Sequence, residues 1–315
     1  MNWQGLHRCP ITYQHLSQGE KYSAEGLKEL SPRLSRLEDL PLSAQEQRME
    51  ARKRAHKMSI QGVQAKLSAK LNIKEGRFEI VDVGGKYILK PPHELYEQLP
   101  ENEDLSMRLA ATLGIEVPLH GMLYSRDESL TYFIKRFDRE GHRDKLPLED
   151  FAQLSGQTRE TKYRSSMEQL IKVVEQYCTF PLLEKKKLLL RVLFNFLIGN
   201  EDMHLKNYSL ITRDDKVGLS PAYDFLNSTI VLDNSAEQTA LPLRGKKNKL
   251  KRADLIDYYA MEKLALNRVT VEEVLNQISK TAPLWNERIS DSFLSDEMKT
   301  KYLKVLEERK KNLEL

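Results

Sequence analysis

Apolar and polar positions follow different patterns in the two halves of the chain. In the first half, short runs rich in aromatic and β-branched residues predict strands, two of them on either side of a Gly-Gly turn within 78–92 and another pair at 115–124 and 129–137. From residue 148 onward, apolar residues recur at helical spacing. Helices are expected at about 149–155, 166–177, 182–198, 254–265, 270–281 and 297–313. A strand-rich part followed by an all-helical part predicts an α+β fold with two lobes and a cleft between them.

The first 57 residues are polar and favour short helices at 23–30 and 43–57. The second of these helices begins at Ser43, and Glu46 three positions later predicts a capping box. A longer amphipathic helix is expected to begin at Glu103. The pattern therefore divides the chain into three parts. These are a helical extension at 1–57, a strand-rich N-lobe at 58–138 and a helical C-lobe at 139–315.

The composition narrows the class of protein. The 315 residues can bury a large core, and the net charge of +4 permits contact with an acidic partner without requiring one. Cys9 and Cys178 lie far apart in the sequence, so neither a disulfide framework nor a cysteine-based zinc site is expected. No apolar run approaches the length of a membrane span, and no apolar leader opens the chain. These features predict a soluble cytoplasmic protein in a reducing compartment.

The strongest candidate chemistry lies in a polar loop that follows the apolar run 192–198. Asp202 and Asn207 have the D-x-x-x-x-N spacing of a protein-kinase catalytic loop, and Asp224 follows where a metal-binding Asp is expected. In phosphoryl transfer, one carboxylate orients and deprotonates the attacking hydroxyl, while an amide oxygen and a second carboxylate hold Mg²⁺ against the phosphates. The set indicates an ATP-dependent kinase. A loop rich in Asp and Asn is also typical of an ordinary turn.

A second candidate is Lys90, which ends a predicted strand. In a kinase N-lobe, a strand lysine reaches the α- and β-phosphates and is held by a glutamate on a helix. Glu103 is the favoured partner because it begins the next helix, while Glu94, Glu97 and Glu101 are alternatives. The sequence therefore predicts a buried lysine–glutamate pair in the N-lobe.

Six motifs, taken together, resemble the HipA family of serine/threonine kinase toxins. In chain order they are Ser-Ile-Gln-Gly-Val-Gln-Ala-Lys at 59–66, Tyr-Ile-Leu-Lys at 87–90, Lys-Arg-Phe-Asp-Arg at 135–139, Leu-Glu-Asp-Phe-Ala-Gln at 148–153, the catalytic loop at 199–207 and Pro-Ala-Tyr-Asp at 221–224. The resemblance implies a bilobal protein-kinase-like fold that uses ATP and Mg²⁺. It also implies that 59–66 is the phosphate loop and that Ser59 is an autophosphorylation site.

The spacing and the resemblance together give a set of expected site residues. Asp202 and Lys90 are the expected catalytic residues, and Asn207 and Asp224 are the expected metal ligands. The backbone at 135–137 is expected to hold the adenine, and 62–66 is expected to cover the phosphates. The expected ATP contacts are Ser59, Ile60, Gln61, Gly62, Lys66, Lys90, Lys135, Phe137, Asp138, His204, Lys206, Asn207 and Asp224.

Within the family, the chain is most similar to HipT, the short toxin of three-component HipB-HipS-HipT systems, because only about 57 residues precede the phosphate loop. Gln61 stands where HipT proteins often have a second serine, which leaves Ser59 as the acceptor there. The resemblance implies phosphorylation of an aminoacyl-tRNA synthetase, tryptophanyl- or glutamyl-, free or tRNA-bound. HipS-like and HipB-like antitoxin proteins are the implied partners, and sequence-specific DNA binding is expected of the HipB-like partner rather than of this chain. Two alternatives stay open: a catalytically silent subunit for complex assembly and repression, and a small-molecule phosphotransferase.

Overall fold

The structure, a computed structural model, describes residues 7–54, 64–141, 144–158, 160–232 and 237–315. The chain forms two compact units. The first unit comprises Met1–Leu105, Pro118–Arg139 and Asp291–Leu294, and the second unit comprises Ser106–Val117, Glu140–Ser290 and Ser295–Leu315. In the part of the chain that the structure describes, no helix combines the length and the apolar character that a membrane crossing needs.

The first unit is built on a five-stranded antiparallel sheet. Its strands are β1 (Leu67–Asn72), β2 (Arg77–Ile80), β3 (Tyr87–Lys90), β4 (His120–Tyr124) and β5 (Leu130–Lys135), in the spatial order β2-β1-β3-β5-β4. The strand pair predicted at 115–124 and 129–137 is confirmed as β4 and β5. The two strands predicted within 78–92 are β2 and β3, but they lie on either side of β1 rather than side by side. The loop before β3 passes close to β1, since a Cβ atom on Gly85 would overlap the Ser68 hydroxyl.

Three helices begin in the first unit: α1 (Ala24–Leu30), α2 (Ala44–Arg54) and α3 (Leu99–Thr112). The capping box predicted for α2 is confirmed, because the Ser43 backbone N–H donates to Glu46 Oε2 at 2.8 Å and the Glu46 N–H donates to Ser43 Oγ at 3.3 Å. The apolar residues of α1 and α2 pack with the sheet in one core. Its fully buried members include Cys9, Ile11, Leu67, Ala69, Leu89 and Phe133.

The second unit is mainly helical. Its helices are α4 (Phe151–Leu154), α5 (Met167–Tyr177), α6 (Pro181–Ile198), α7 (Arg268–Asp291) and α8 (Asp296–Leu313), with a π-helical stretch at Ala253–Lys263. All six predicted helices are confirmed, and α7 runs ten residues further than expected, past Pro283. The last two turns of α6 are buried on every side, as expected for the run 192–198, in which every residue except Asn195 is apolar. A short ladder joins β6 (Arg139–Glu140) and β7 (Asp144–Lys145).

A small sheet in the second unit corrects the expectation of an all-helical second half. It consists of β8 (Leu148–Asp150), β9 (Ser209–Arg213) and β10 (Lys216–Leu219), in the order β10-β9-β8. Asp214 and Asp215 connect β9 to β10 with φ angles of +48° and +58°, the left-handed conformation that a two-residue hairpin turn needs. β8 overlaps the start of the helix expected at 149–155, whereas β9 and β10 lie between two expected helices, in a stretch for which no strand was predicted. This sheet lies directly after the polar loop and fixes where that loop ends.

Candidate active site

The polar loop begins where α6 ends, at a glycine that the geometry requires. Gly199 has a φ of +70°, and its backbone N–H bonds back to the carbonyls of Asn195 and Phe196, which ends the helix in a left-handed cap. A Cβ atom at this position would lie 2.6 Å from Thr229 Oγ1 and 2.8 Å from Val305 Cγ1. Gly199 is therefore required twice, by its left-handed backbone conformation and by the neighbouring side chains that leave no room for a Cβ atom.

Replacing Gly199 by Ala is expected to lower the free energy of unfolding by ~2–4 kcal/mol, because the left-handed conformation and the packing clash both add cost. Gly156→Ala is the matched control, since Gly156 has a similar φ of +64° and no heavy atom within 4 Å of the added Cβ. That control should lose only ~1 kcal/mol. Urea denaturation of both variants measures the difference, and equal stability of the two would contradict the packing argument.

The loop residues form one hydrogen-bond network around Asn200, which is buried. The Asn200 amide accepts from the Asp202 backbone N–H at 3.2 Å and donates to the Asp224 carbonyl at 3.4 Å. Asn207 Nδ2 donates to the Asp202 carbonyl at 3.0 Å. The structure thus brings three of the sequence-predicted residues together, Asp202, Asn207 and Asp224. Asn200 itself was missed by the sequence analysis, because a buried amide that bridges two loops has no signature in local spacing.

Asp224 is held by the aromatic residues on both sides of it. The Tyr223 hydroxyl donates to the Lys206 carbonyl at 3.0 Å, and the Phe225 ring packs 5.3 Å from the ring of Phe194 on α6. Asp224 has a φ of +56°, an uncommon conformation for a residue with a side chain. Such conformations concentrate at functional sites, where the surrounding structure supports them. The Asp224 carboxylate is partly exposed next to the polar loop.

The oxygen donors of Asn207 and Asp224 fit a magnesium ion whose remaining ligands are phosphate oxygens and water. Asn207 uses its amide nitrogen within the loop, which leaves the amide oxygen as the atom that can face a cation. Mg²⁺ in phosphoryl-transfer sites takes one or two carboxylates together with phosphate oxygens and water. No cluster of three or more His, Cys, Asp or Glu side chains suited to a metal occurs among the described residues.

His204 and Lys206 lie in the same loop, and both contact other side chains of the second unit. His204 Nε2 is 2.7 Å from Lys162 Nζ, and burial lowers the pKa of His204 to about 4. The imidazole is therefore uncharged at neutral pH. Lys206 Nζ forms an ion pair with Asp150 at 2.6 Å, which ties the loop to the residue that caps α4.

The Asp202 carboxylate is exposed and accepts a hydrogen bond from the Tyr163 hydroxyl. Tyr163 lies 39 positions earlier in the chain, between α4 and α5, and the sequence analysis did not single it out. No signal in the local sequence connects the two residues, because the contact depends on how that segment folds over the loop.

In the first unit, Lys90 pairs with Glu103, the partner that the sequence favoured. Lys90 Nζ lies 2.5 Å from Glu103 Oε1, and both side chains are only 4% exposed. The Lys90 ammonium also lies 5.6 Å from the centre of the Tyr132 ring. Glu94, one of the alternatives, instead pairs with Arg52 at the surface. Glu101, another alternative, is a buried carboxyl whose pKa burial raises to about 8.

The other expected ATP contacts of the first unit lie at or near the ends of its strands. Lys66 directly precedes β1, and Lys135 ends β5 with an exposed side chain. Asp138 forms ion pairs with Arg136 and Arg139, at 2.8 and 2.6 Å. Burial opposes the charged form of Asp138, but these arginines hold its pKa below the usual value. Phe137, which precedes Asp138 in the sequence, is partly exposed. Ser59, Ile60, Gln61 and Gly62 lie outside the described residues.

Comparisons with known proteins point to one family. Residues 58–285 match the HipA-like C-terminal domain family. A candidate kinase of Haemophilus influenzae is 34% identical over 240 residues, which cover 70% of this chain and 68% of that protein. The serine/threonine-protein kinase toxin HipA of Shewanella oneidensis is 29% identical over 208 residues, which cover 59% of this chain and 47% of the toxin. The chain thus spans about two thirds of the first relative and about half of the second.

A solved structure shows the same fold. It is the Shewanella oneidensis toxin–antitoxin complex of HipA, HipB and operator DNA, which matches with a TM-score of 0.68 at 21% identity over 95% of this chain and 80% of the matched chain. The sheet of the first unit and the helical second unit thus have the HipA kinase fold, which confirms the predicted α+β class. The chain belongs to the HipA-like C-terminal domain family.

Proposed function

We propose that the chain is an ATP-dependent protein serine/threonine kinase. The observation that carries the proposal is the hydrogen-bond network that joins the backbones of Asp202 and Asp224 through Asn200 and ties Asn207 to the same loop. Degenerate kinases commonly lose a catalytic carboxylate or the strand lysine, and this chain has both. The kinase names of its relatives support the same class of reaction.

Each of the candidate residues has a distinct task in this proposal. Asp202 accepts the proton of the attacking hydroxyl, since its carboxylate is exposed at the loop. Asn207 and Asp224 hold Mg²⁺, which when bound neutralises the charge of the phosphates. Lys90, held by Glu103, binds the α- and β-phosphates. The remaining ATP contacts are those expected from the sequence, with 62–66 over the phosphates and the backbone of Lys135 and Phe137 at the adenine.

We assign these residues to two lobes, an N-lobe at 58–138 and a C-lobe at 139–315, preceded by an extension at 1–57.

We further propose that the chain acts as the toxin of a bacterial toxin–antitoxin system of the HipT type. Its substrate would be a tryptophanyl- or glutamyl-tRNA synthetase, and its partners would be HipS-like and HipB-like proteins. The Shewanella oneidensis HipA, which was solved with HipB and DNA, supports a HipB-like partner.

Ser59 is the expected site of autophosphorylation. A phosphate there would add a charge of about −2 beside the phosphate loop and repel bound ATP. We expect mass spectrometry of the protein, after incubation with ATP and Mg²⁺, to find phosphate on Ser59. The same treatment of Asp202→Asn, which serves as the control, should leave at least about a hundredfold less phosphate on Ser59.

The two possible failures of this experiment have different meanings. Phosphate found only at other residues would refute the role of Ser59 and leave the kinase proposal intact. The absence of phosphate on the chain and on every protein incubated with it would refute the kinase proposal itself.

A further inference from the structure

Lys162 and Tyr163 form a contact with the catalytic loop that the proposed function does not use. Both residues lie in the connection between α4 and α5. The Tyr163 hydroxyl donates to Oδ1 of Asp202, and Lys162 Nζ lies 2.7 Å from Nε2 of His204. All four side chains belong to the second unit. Two adjacent residues of the connection therefore contact two nearly adjacent residues of the loop.

The hydrogen bond from Tyr163 acts on a carboxylate that has little other support. In the described part of the chain, the remaining hydrogen bonds of Asp202 are made by its backbone, whose N–H bonds to Asn200 and whose carbonyl accepts from Asn207 and from the His204 N–H. An exposed carboxylate on a short side chain would otherwise rotate freely. Tyr163 occupies Oδ1 and leaves Oδ2 for an attacking hydroxyl, because an ionised carboxylate has two acceptor oxygens.

The Tyr163 ring contacts two neighbouring side chains. It packs edge-to-face with the His204 ring, at a centroid distance of 5.0 Å and an interplanar angle of 87°. The Lys162 ammonium lies 4.9 Å from the centre of the Tyr163 ring, within the range of a cation–π contact. His204 is neutral because burial lowers its pKa, so its Nε2 can accept a hydrogen bond from Lys162. Burial and the bond to Asp202 raise the pKa of Tyr163, which keeps the hydroxyl a donor.

We propose that Tyr163 is a positioning residue for phosphoryl transfer, which fixes the Asp202 carboxylate in the orientation that leaves Oδ2 towards the acceptor. Lys162 and His204 hold the Tyr163 ring in place for this task. The inference rests on the proposed function, because it assumes that Asp202 is the base. A rival arrangement, in which Tyr163 blocks the position of the acceptor hydroxyl, gives the opposite result in the test below.

The test uses Tyr163→Phe, which removes the hydroxyl and keeps the ring. We expect the rate of phosphate incorporation into the chain at saturating ATP to fall by about tenfold, in line with the loss of orientation of one catalytic group. The ATP concentration for half-maximal rate and the thermal unfolding midpoint should stay unchanged. Tyr177→Phe is the matched control, since Tyr177 is 37% exposed against 40% for Tyr163 and its hydroxyl, among the described residues, bonds to the Leu154 carbonyl at 3.4 Å.

A double variant distinguishes positioning from other effects. Because Tyr163 acts through the Asp202 carboxylate, Tyr163→Phe should cause no further loss in an Asp202→Asn background. A full tenfold loss there would show that Tyr163 acts on something else and would overturn the inference. An unchanged rate in the Tyr163→Phe single variant would also overturn the inference. A faster rate would overturn it in favour of the arrangement in which Tyr163 blocks the acceptor.

The same measurements separate this inference from the proposed function. If Asp202→Asn reduces transfer and Tyr163→Phe does not, only the positioning role fails. If Asp202→Asn leaves transfer unchanged, the assignment of the base fails, whatever Tyr163 does.

Discussion

Asp202→Asn is expected to reduce phosphate transfer from ATP by at least about a hundredfold, the usual contribution of a general base. An amide cannot take the proton of the acceptor hydroxyl, although it has nearly the same shape as the carboxylate. The backbone bonds of Asp202 with Asn200 and Asn207 do not involve the altered atoms, so the loop should keep its conformation. The loss should therefore appear in the rate and leave the unfolding midpoint unchanged.

The measurement is the incorporation of labelled phosphate by equal amounts of folded variant and unaltered chain. Asp214→Asn is a suitable control, because Asp214 is exposed in the β9–β10 turn and asparagine also adopts its left-handed conformation. The control should transfer phosphate at the full rate. An Asp202→Asn variant that keeps more than a tenth of the activity would remove Asp202 from the role of base.

Lys90→Met is expected to have the second large effect, on both activity and stability. It removes the group assigned to the phosphates, and it removes the ammonium that pairs with the buried Glu103 carboxylate. Removal of one partner from a buried ion pair typically costs about 3–5 kcal/mol, because the remaining charge is uncompensated. We therefore expect a strong loss of phosphate transfer together with a large drop in the urea midpoint.

Two further variants separate the effect of Lys90 on phosphate transfer from its effect on stability. Lys70→Met removes a lysine from the neighbouring strand β1 whose ion pair with Glu79 is exposed, so it should cost less than about 1 kcal/mol. Lys90→Met combined with Glu103→Leu removes both buried charges and should recover most of the stability without recovering transfer. Full activity of the double variant would contradict the role of Lys90 at the phosphates.

Features that depend on neighbours in the sequence could be predicted well. The capping box of α2 needs only Ser43 and Glu46. A strand end followed by a helix favoured the pairing of Lys90 with Glu103, although α3 begins at Leu99 rather than at Glu103 as expected. The fold class also followed from periodicity, because four of the five strands of the larger sheet and the longer helices were recognised, although β1 was not.

Features that depend on the path of the chain could not be predicted. The insertion of β1 between β2 and β3 is a matter of strand order, which no local pattern encodes. The small sheet was missed because β8 overlaps the start of the helix expected at 149–155, and because its pairing with β9 joins segments far apart in the sequence. Asn200 and Tyr163 complete the site through contacts across two loops, and their residue types alone have no special meaning at those positions.

The most direct test of the central claim is transfer of the γ-phosphate of labelled ATP, in the presence of Mg²⁺, to proteins of a bacterial lysate. We predict that the unaltered chain labels a protein on serine or threonine and that Asp202→Asn does not. Label found only in small molecules, or the same labelled proteins with both forms, would contradict the account of this chain as a protein kinase.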